Sequence, residues 1–305
     1  MISDKYFNQL SRGTRYKIYN NNTLCGKLKK SQLDTLRKKV LKIFSKSQKR
    51  NFKTINSLSK FLNKTKVFFL KKDLDLMVDL ESYVLKIFKD SNLIKETIKG
   101  MEFPINIRIV HPIKPKNTNS RYDTGSIHCD PWAGEPDDLV NVVIYLNVNK
   151  ESPKINIFET TQENLVENKL KNNFYKNKFF QNSKEYYKTL KDLKLMKPQK
   201  LIHSNGNFFI FNCFVPHNSI RSGKNVRLSL EFRLRTKNPY NNLNYWLNKT
   251  NRRGRYWLLP DKKIKNFRHK VLYEIKKIKK LKNSQKKIIM RKKEIKKYLK
   301  YDSIP

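Results

Sequence analysis

A chain of 305 residues is long enough for one large domain with a well-buried core. Its 68 Lys and Arg against 25 Asp and Glu give a formal charge of +43, which suits a polyanion or an anionic surface. Lys, Asn, Ile, Phe and Tyr are abundant together, and their AT-rich codons account for much of the lysine without such a partner. There is no apolar run of about 18 residues to make a transmembrane helix. MISDKYFNQLSRGTRYKIYNNN has no apolar stretch of the length a secretory signal needs. Cys25, Cys129 and Cys213 have no CxxC spacing, which argues against a disulfide framework and a structural zinc site. A reducing, cytoplasmic location is expected.

Residues 23–100 read as mostly helical. SQLDTLRKKVLKIF and DLDLMVDLESYVLKIFKDS place Leu, Val, Ile and Phe at three- and four-residue spacings with charge between them, the pattern of helices that cover a core. From about 103 the period changes. PINIRIVHP, VNVVIYLNV, KINIFET, NFFIFNCFV and VRLSLEFRLR are short, β-branched or aromatic, and separated by Pro, Gly, Asn and Ser, which predicts strands of a sandwich or barrel. A polar insert over 161–200 interrupts the series and suits a lid or substrate loop. Residues 238–260 form an aromatic and basic connector. Beyond Pro260, Ile264, Phe267, Val271, Ile275, Ile278 and Leu281 step at helical spacing among many lysines, predicting an amphipathic basic helix over 262–300. Such a helix either packs on the core or meets nucleic acid or anionic lipid. The expected class is α+β, with a helical region at 1–102, a β core at 103–237 and the basic C-terminal part at 238–305.

The chemistry centres on GSIHCDPWAGEPDD, residues 125–138. On an extended segment His128 and Asp130 point the same way, while Cys129 points away. A second histidine would complete a set of two imidazoles and one carboxylate on one face of a metal, leaving open positions of the kind non-haem Fe(II) oxygenases use. His217, in FNCFVPHNSIRSGKNVRLSLEFR, is the candidate, with His203 as the alternative. Ten residues after His217 comes Arg227, and Ser229 shares its strand face with Glu231, Arg233 and Arg235. A guanidinium inside a β core is costly unless it meets a carboxylate, so Arg227 and Ser229 read as a clamp for an anionic co-substrate. Asn141 and Tyr145 lie on a strand face that can point towards that co-substrate. Arg108 and Trp132 are candidate substrate contacts.

His128-x-Asp130, the distal His217 and the Arg227-x-Ser229 pair resemble the iron(II)/2-oxoglutarate-dependent oxygenases, in particular the phytanoyl-CoA dioxygenase-like branch. The resemblance spans about 103–237. It implies a double-stranded β-helix, the jelly-roll or cupin-like fold. It also implies Fe(II) on His128, Asp130 and His217, with 2-oxoglutarate held by Arg227 and Ser229 and dioxygen as the oxidant. The implied outcome is hydroxylation of a small metabolite with release of succinate and CO2. Halogenating relatives lack the carboxylate ligand, so Asp130 argues against that chemistry. The other class of reading is a catalytically inactive jelly-roll module that binds a polyanion through the basic helices.

Overall fold

The computed structural model describes residues 15–19, 23–65, 74–90, 100–103, 105–113, 127–130, 139–160, 197–235 and 256–258. Ten strands and three helices lie within them: β1 (Arg15–Tyr19), β2 (Thr23–Lys27), α1 (Lys30–Gln48), α2 (Ile55–Thr65), α3 (Leu74–Asp90), β3 (Gly100–Phe103), β4 (Asn106–Val110), β5 (Leu139–Asn147), β6 (Lys154–Ile157), β7 (Asn207–Asn212), β8 (His217–Ile220), β9 (Arg227–Arg235) and β10 (Tyr256–Leu258). Trp132, most of the 161–200 insert and the basic helix expected over 262–300 lie outside the described residues.

The strands form two antiparallel sheets. The larger runs β1-β2-β7-β5-β9-β3-β10, with β4 also paired to β9, and the smaller is β6-β8. β5 and β9 occupy its middle in direct register, Val143 opposite Glu231 and Tyr145 opposite Ser229. Alternation along these strands separates two cores. Val142, Ile144, Leu146, Phe208, Leu228, Leu230, Phe232 and Leu234 face one way and join the helices in one cluster. Leu139, Val143, Tyr145, Phe209 and Phe211 face the other way and meet Ile155 and Ile157 of the small sheet. The two sheets therefore face each other across the second cluster, as in a β-sandwich.

The helices cover the outer face of the large sheet, as their periodicity predicts. α1 buries Leu33, Leu36, Val40, Ile43 and Phe44 at three- and four-residue steps, and Phe88 of α3 meets Phe208 and Phe232 edge-on, with ring centroids at 6.2 and 5.8 Å. Polar ties fix the docking. Arg37 donates from Nε to the Leu146 carbonyl at 2.8 Å, and the Ile105 amide donates to buried Glu81 at 2.8 Å. Asn63 of α2 accepts from the Val226 amide at 2.7 Å, which anchors the residue just before Arg227.

The expectation of mostly helix over 23–100 is corrected at both ends. Thr23–Lys27 is a strand, paired antiparallel with β1 and with β7, and Gly100 already belongs to β3, against β9. TLCGK has little helical period of its own, and the exposed hydrogen-bonding edge of β7 decides its state; tertiary pairing overrides local propensity here. The turn into β9 needs Gly223, which has φ +83°. Any Cβ there would run into the Glu151 backbone, whose carbonyl accepts from the amides of Lys224 and Asn225, both at 2.9 Å.

Candidate metal centre

Backbone pairing brings His128 and His217 together. Each donates its amide to the other's carbonyl, at 3.1 and 3.0 Å, and the Asp130 amide donates to the Cys213 carbonyl at 3.2 Å. The 127–130 segment therefore runs beside the approach to β8. The two imidazoles lie 4.5 Å apart by ring centroid, and the i+2 step puts Asp130 on the same side. The Nε2 atoms of His128 and His217 each lie 3.8 Å from Asp130 Oδ1. One donor atom from each of the three residues falls within 4.8 Å of the others, the one such metal-ligand grouping among the described residues. Two donors at about 2.1 Å from a shared ion stand no more than about 4.2 Å apart, so the carboxylate-to-imidazole spacing suits one cation. Cys129 points away, its thiol donating to the Phe214 carbonyl at 3.2 Å. His203, the alternative third ligand, is held elsewhere, with Nδ1 3.1 Å from the Tyr145 hydroxyl.

The electrostatics favour a metal-ready state. His217 Nδ1 lies 3.0 Å from the Val215 carbonyl, which can only accept, so Nδ1 carries the proton and Nε2 keeps its lone pair towards Asp130. Burial pushes the His217 pKa down, and although Asp130 opposes this, the net shift is downward and the ring stays neutral. Burial pushes Asp130 the other way, but the Arg233 guanidinium, with His217 and His128, holds its carboxyl well below the usual range. Arg233 Nε donates to Asp130 Oδ2 at 2.9 Å, so Oδ1 is the oxygen facing the imidazoles. On its other side Arg233 reaches buried Glu102 at 3.5 Å.

The inward face of β9 continues with the second group of candidate residues. Arg227 and Ser229 are fully buried. Arg227 Nη2 donates to Glu231 Oε1 at 2.8 Å, and Ser229 Oγ donates to the same oxygen at 2.9 Å. Arg108 Nη1 donates to Glu231 Oε2 at 2.8 Å. Arg227 also lies 5.6 Å from the Tyr145 ring centroid and 3.5 Å from Ser219 Oγ of the small sheet, so it spans the space between the sheets. Its Nε and Nη1 are buried without a hydrogen-bond partner, as is the side-chain amide nitrogen of Asn141. The Tyr145 hydroxyl accepts from the Ile155 amide at 3.0 Å and faces His203, whose pKa is pushed down to about 4 by burial, Lys154 and Arg227. With that ring neutral, its Nδ1 is able to accept the hydroxyl proton.

Sequence reasoning missed Glu231, Arg233 and Glu102 as members of the site. Glu231 and Arg233 were in register with Arg227 and Ser229, and that shared face was the available signal. Glu102, on β3, gave none.

The sequence matches no known family model and no curated protein. Among solved structures, the chain is similar to an N-substituted L-amino acid dioxygenase from Burkholderia ambifaria in complex with alpha-KG, with TM-score 0.33 and 11% identity over 70% of this chain and 85% of that one. It is also similar to the Kdo hydroxylase KdoO, a non-heme Fe(II) alphaketoglutarate dependent dioxygenase, with TM-score 0.32 and 15% identity over 66% of this chain and 84% of that one.

Proposed function

We propose that the chain is a non-haem Fe(II)- and 2-oxoglutarate-dependent dioxygenase that hydroxylates a small-molecule metabolite. The observation that carries this reading is the meeting of a two-histidine, one-carboxylate donor set with a buried guanidinium, Arg227, whose Nε and Nη1 lack partners. An orphaned donor in a dry interior costs about 1–3 kcal/mol, and a ligand that accepts from it removes that cost. The charges point the same way. Arg108, Arg227 and Arg233 are matched by Glu231, Asp130 and Glu102, so a divalent cation entering this balanced set calls for a dianion beside it. 2-Oxoglutarate is such a dianion.

On this reading His128, Asp130 and His217 hold the metal. Arg233 fixes the Asp130 rotamer and turns Oδ1 towards the metal. Arg227 and Ser229 receive the distal carboxylate of 2-oxoglutarate, and Asn141, with its amide nitrogen free, offers it a further hydrogen bond. Tyr145 forms a wall beside Arg227. Bound iron would supply the redox chemistry by which 2-oxoglutarate and dioxygen become succinate and CO2 as a substrate C–H becomes C–OH. The sandwich would be the double-stranded β-helix of this superfamily, and Arg227-x-Ser229 supports the phytanoyl-CoA dioxygenase-like branch. Arg108, part-exposed beside the clamp, and the overall charge favour an anionic substrate, lipid-, amino-acid- or sugar-related, through steering. The free thiols of Cys25, Cys129 and Cys213 suit a cytoplasmic setting. An inactive polyanion-binding module has no need for this buried polar set, which is costly without a ligand.

The test is an anaerobic visible spectrum of the ferrous protein as 2-oxoglutarate is added. Bidentate chelation gives a weak metal-to-ligand charge-transfer band, expected in wild type and lost in His217→Ala. Folded, iron-loaded wild type without a band would sink the assignment.

A further inference from the structure

We propose that Glu231 is an internal carboxylate that sets the affinity for the co-substrate by occupying part of its clamp until the co-substrate arrives. The inference rests on the reading of Arg227 and Ser229 as that clamp. Three side chains at successive inward positions of one strand stand side by side, and here the third supplies the acceptor for the first two. Glu231 Oε1 takes both the Arg227 Nη2 and the Ser229 Oγ hydrogen bonds. A carboxylate of this protein thus sits on donors that suit a ligand's carboxylate.

The cluster also provides a way out. Glu231 Oε2 is held by Arg108, which extends from β4, where Arg108 lies opposite Ser229 and Asn106 opposite Glu231. Side-chain exposure rises from 1% at Arg227 through 15% at Glu231 to 25% at Arg108, so the group opens towards Arg108. Two guanidiniums share one carboxylate, leaving one positive charge for an entering carboxylate to neutralise. Glu231 can then release its Oε1 contacts and stay on Arg108 through Oε2. Its own charge remains beside the bound ligand, and like charges at close range oppose each other. Burial pushes the Glu231 carboxyl up, but Arg108, Arg227 and Ser229 together bring it below its ordinary value, so the competitor is ionised.

The experiment is a titration of the anaerobic ferrous protein with 2-oxoglutarate, read from the charge-transfer band, in wild type, Glu231→Gln, Arg108→Met and the double variant. Removing the competing charge is expected to tighten Glu231→Gln about tenfold, the scale of one charge-assisted contact. Arg108→Met is expected to weaken binding about tenfold, because Glu231 then leans wholly on Arg227, and the double variant is expected to bind at least as well as wild type. A role confined to stability would loosen binding in Glu231→Gln and never tighten it. If wild type shows the band and Glu231→Gln binds no more tightly, the proposal falls while the clamp stands. If no folded, iron-loaded form shows the band, the clamp falls and the proposal with it. Should Glu231→Gln not fold, unchanged affinity in Arg108→Met overturns the proposal.

Discussion

Replacing Arg233 by Met removes the guanidinium that holds Asp130 Oδ2 at 2.9 Å and reaches Glu102 at 3.5 Å. The side chains are 14% exposed for Arg233 and 6% for Asp130, so solvent offers the abandoned carboxylate little. Breaking a buried ion pair from one side costs about 3–5 kcal/mol, which lowers Tm by roughly 6–20 °C at the sensitivity of a chain of about 150–250 residues. The pH dependence follows from the direction of the shift. In wild type the Asp130 carboxyl is depressed, so its stabilisation is present above its unfolded value, near 3.9, and is lost as pH falls through the folded value. Without Arg233, burial is opposed only by His217 and His128, so the folded value rises. The stabilisation that the carboxyl gives at neutral pH shrinks accordingly, and the difference from wild type fades as pH falls through the variant's folded value. The Tm gap between variant and wild type is therefore widest at pH 7 and shrinks with acid. Mn(II), a redox-silent cation that would sit against Asp130 Oδ1, should close part of the gap at pH 7 by taking the place of the lost charge. Thermal melts by circular dichroism from pH 4 to 7, with and without Mn(II), test this. A gap under about 2 °C at pH 7, or one that does not shrink with acid, would refute the argument that Arg233 stabilises an ionised Asp130.

Arg227→Met removes the charge-assisted donors of the clamp, worth about 1.5–3 kcal/mol, so 2-oxoglutarate affinity should fall by roughly 10- to 150-fold while Mn(II) affinity, measured by calorimetry, stays within a few-fold. Tyr145→Phe strips the buried Ile155 amide of its acceptor and His203 of its partner, and urea unfolding should show a loss of about 1–3 kcal/mol. Burial pushes the Cys25 thiol up to about 12, and Cys129 and Cys213 are buried. Native protein at pH 8 should therefore react with a thiol reagent far more slowly than protein in denaturant, and fast labelling of all three thiols in the native state would contradict the packing.

Sequence by itself determined the helical periods of α1 and α3, the strands β4, β5, β6, β7 and β9, and the partition of β9 into an apolar and a polar face. These follow from local periodicity, since 3.6 and 2.0 residues per repeat leave different marks on a chain. It also named His128, Asp130 and His217 together, because an i+2 pair and a distant histidine are visible in one dimension. Tertiary structure alone decided which side of β9 faces the small sheet, that Thr23–Lys27 extends the large sheet, and that His203 turns to Tyr145 and leaves the candidate donor set to His217. It also decided the pairings. Arg227, read as a clamp for an external carboxylate, also shares Glu231 with Ser229 and Arg108, and Arg233, on the same strand face, binds Asp130 across 103 residues. An ion pair is chosen by distance and desolvation in the folded interior, and neither is encoded in the spacing of residues along the chain.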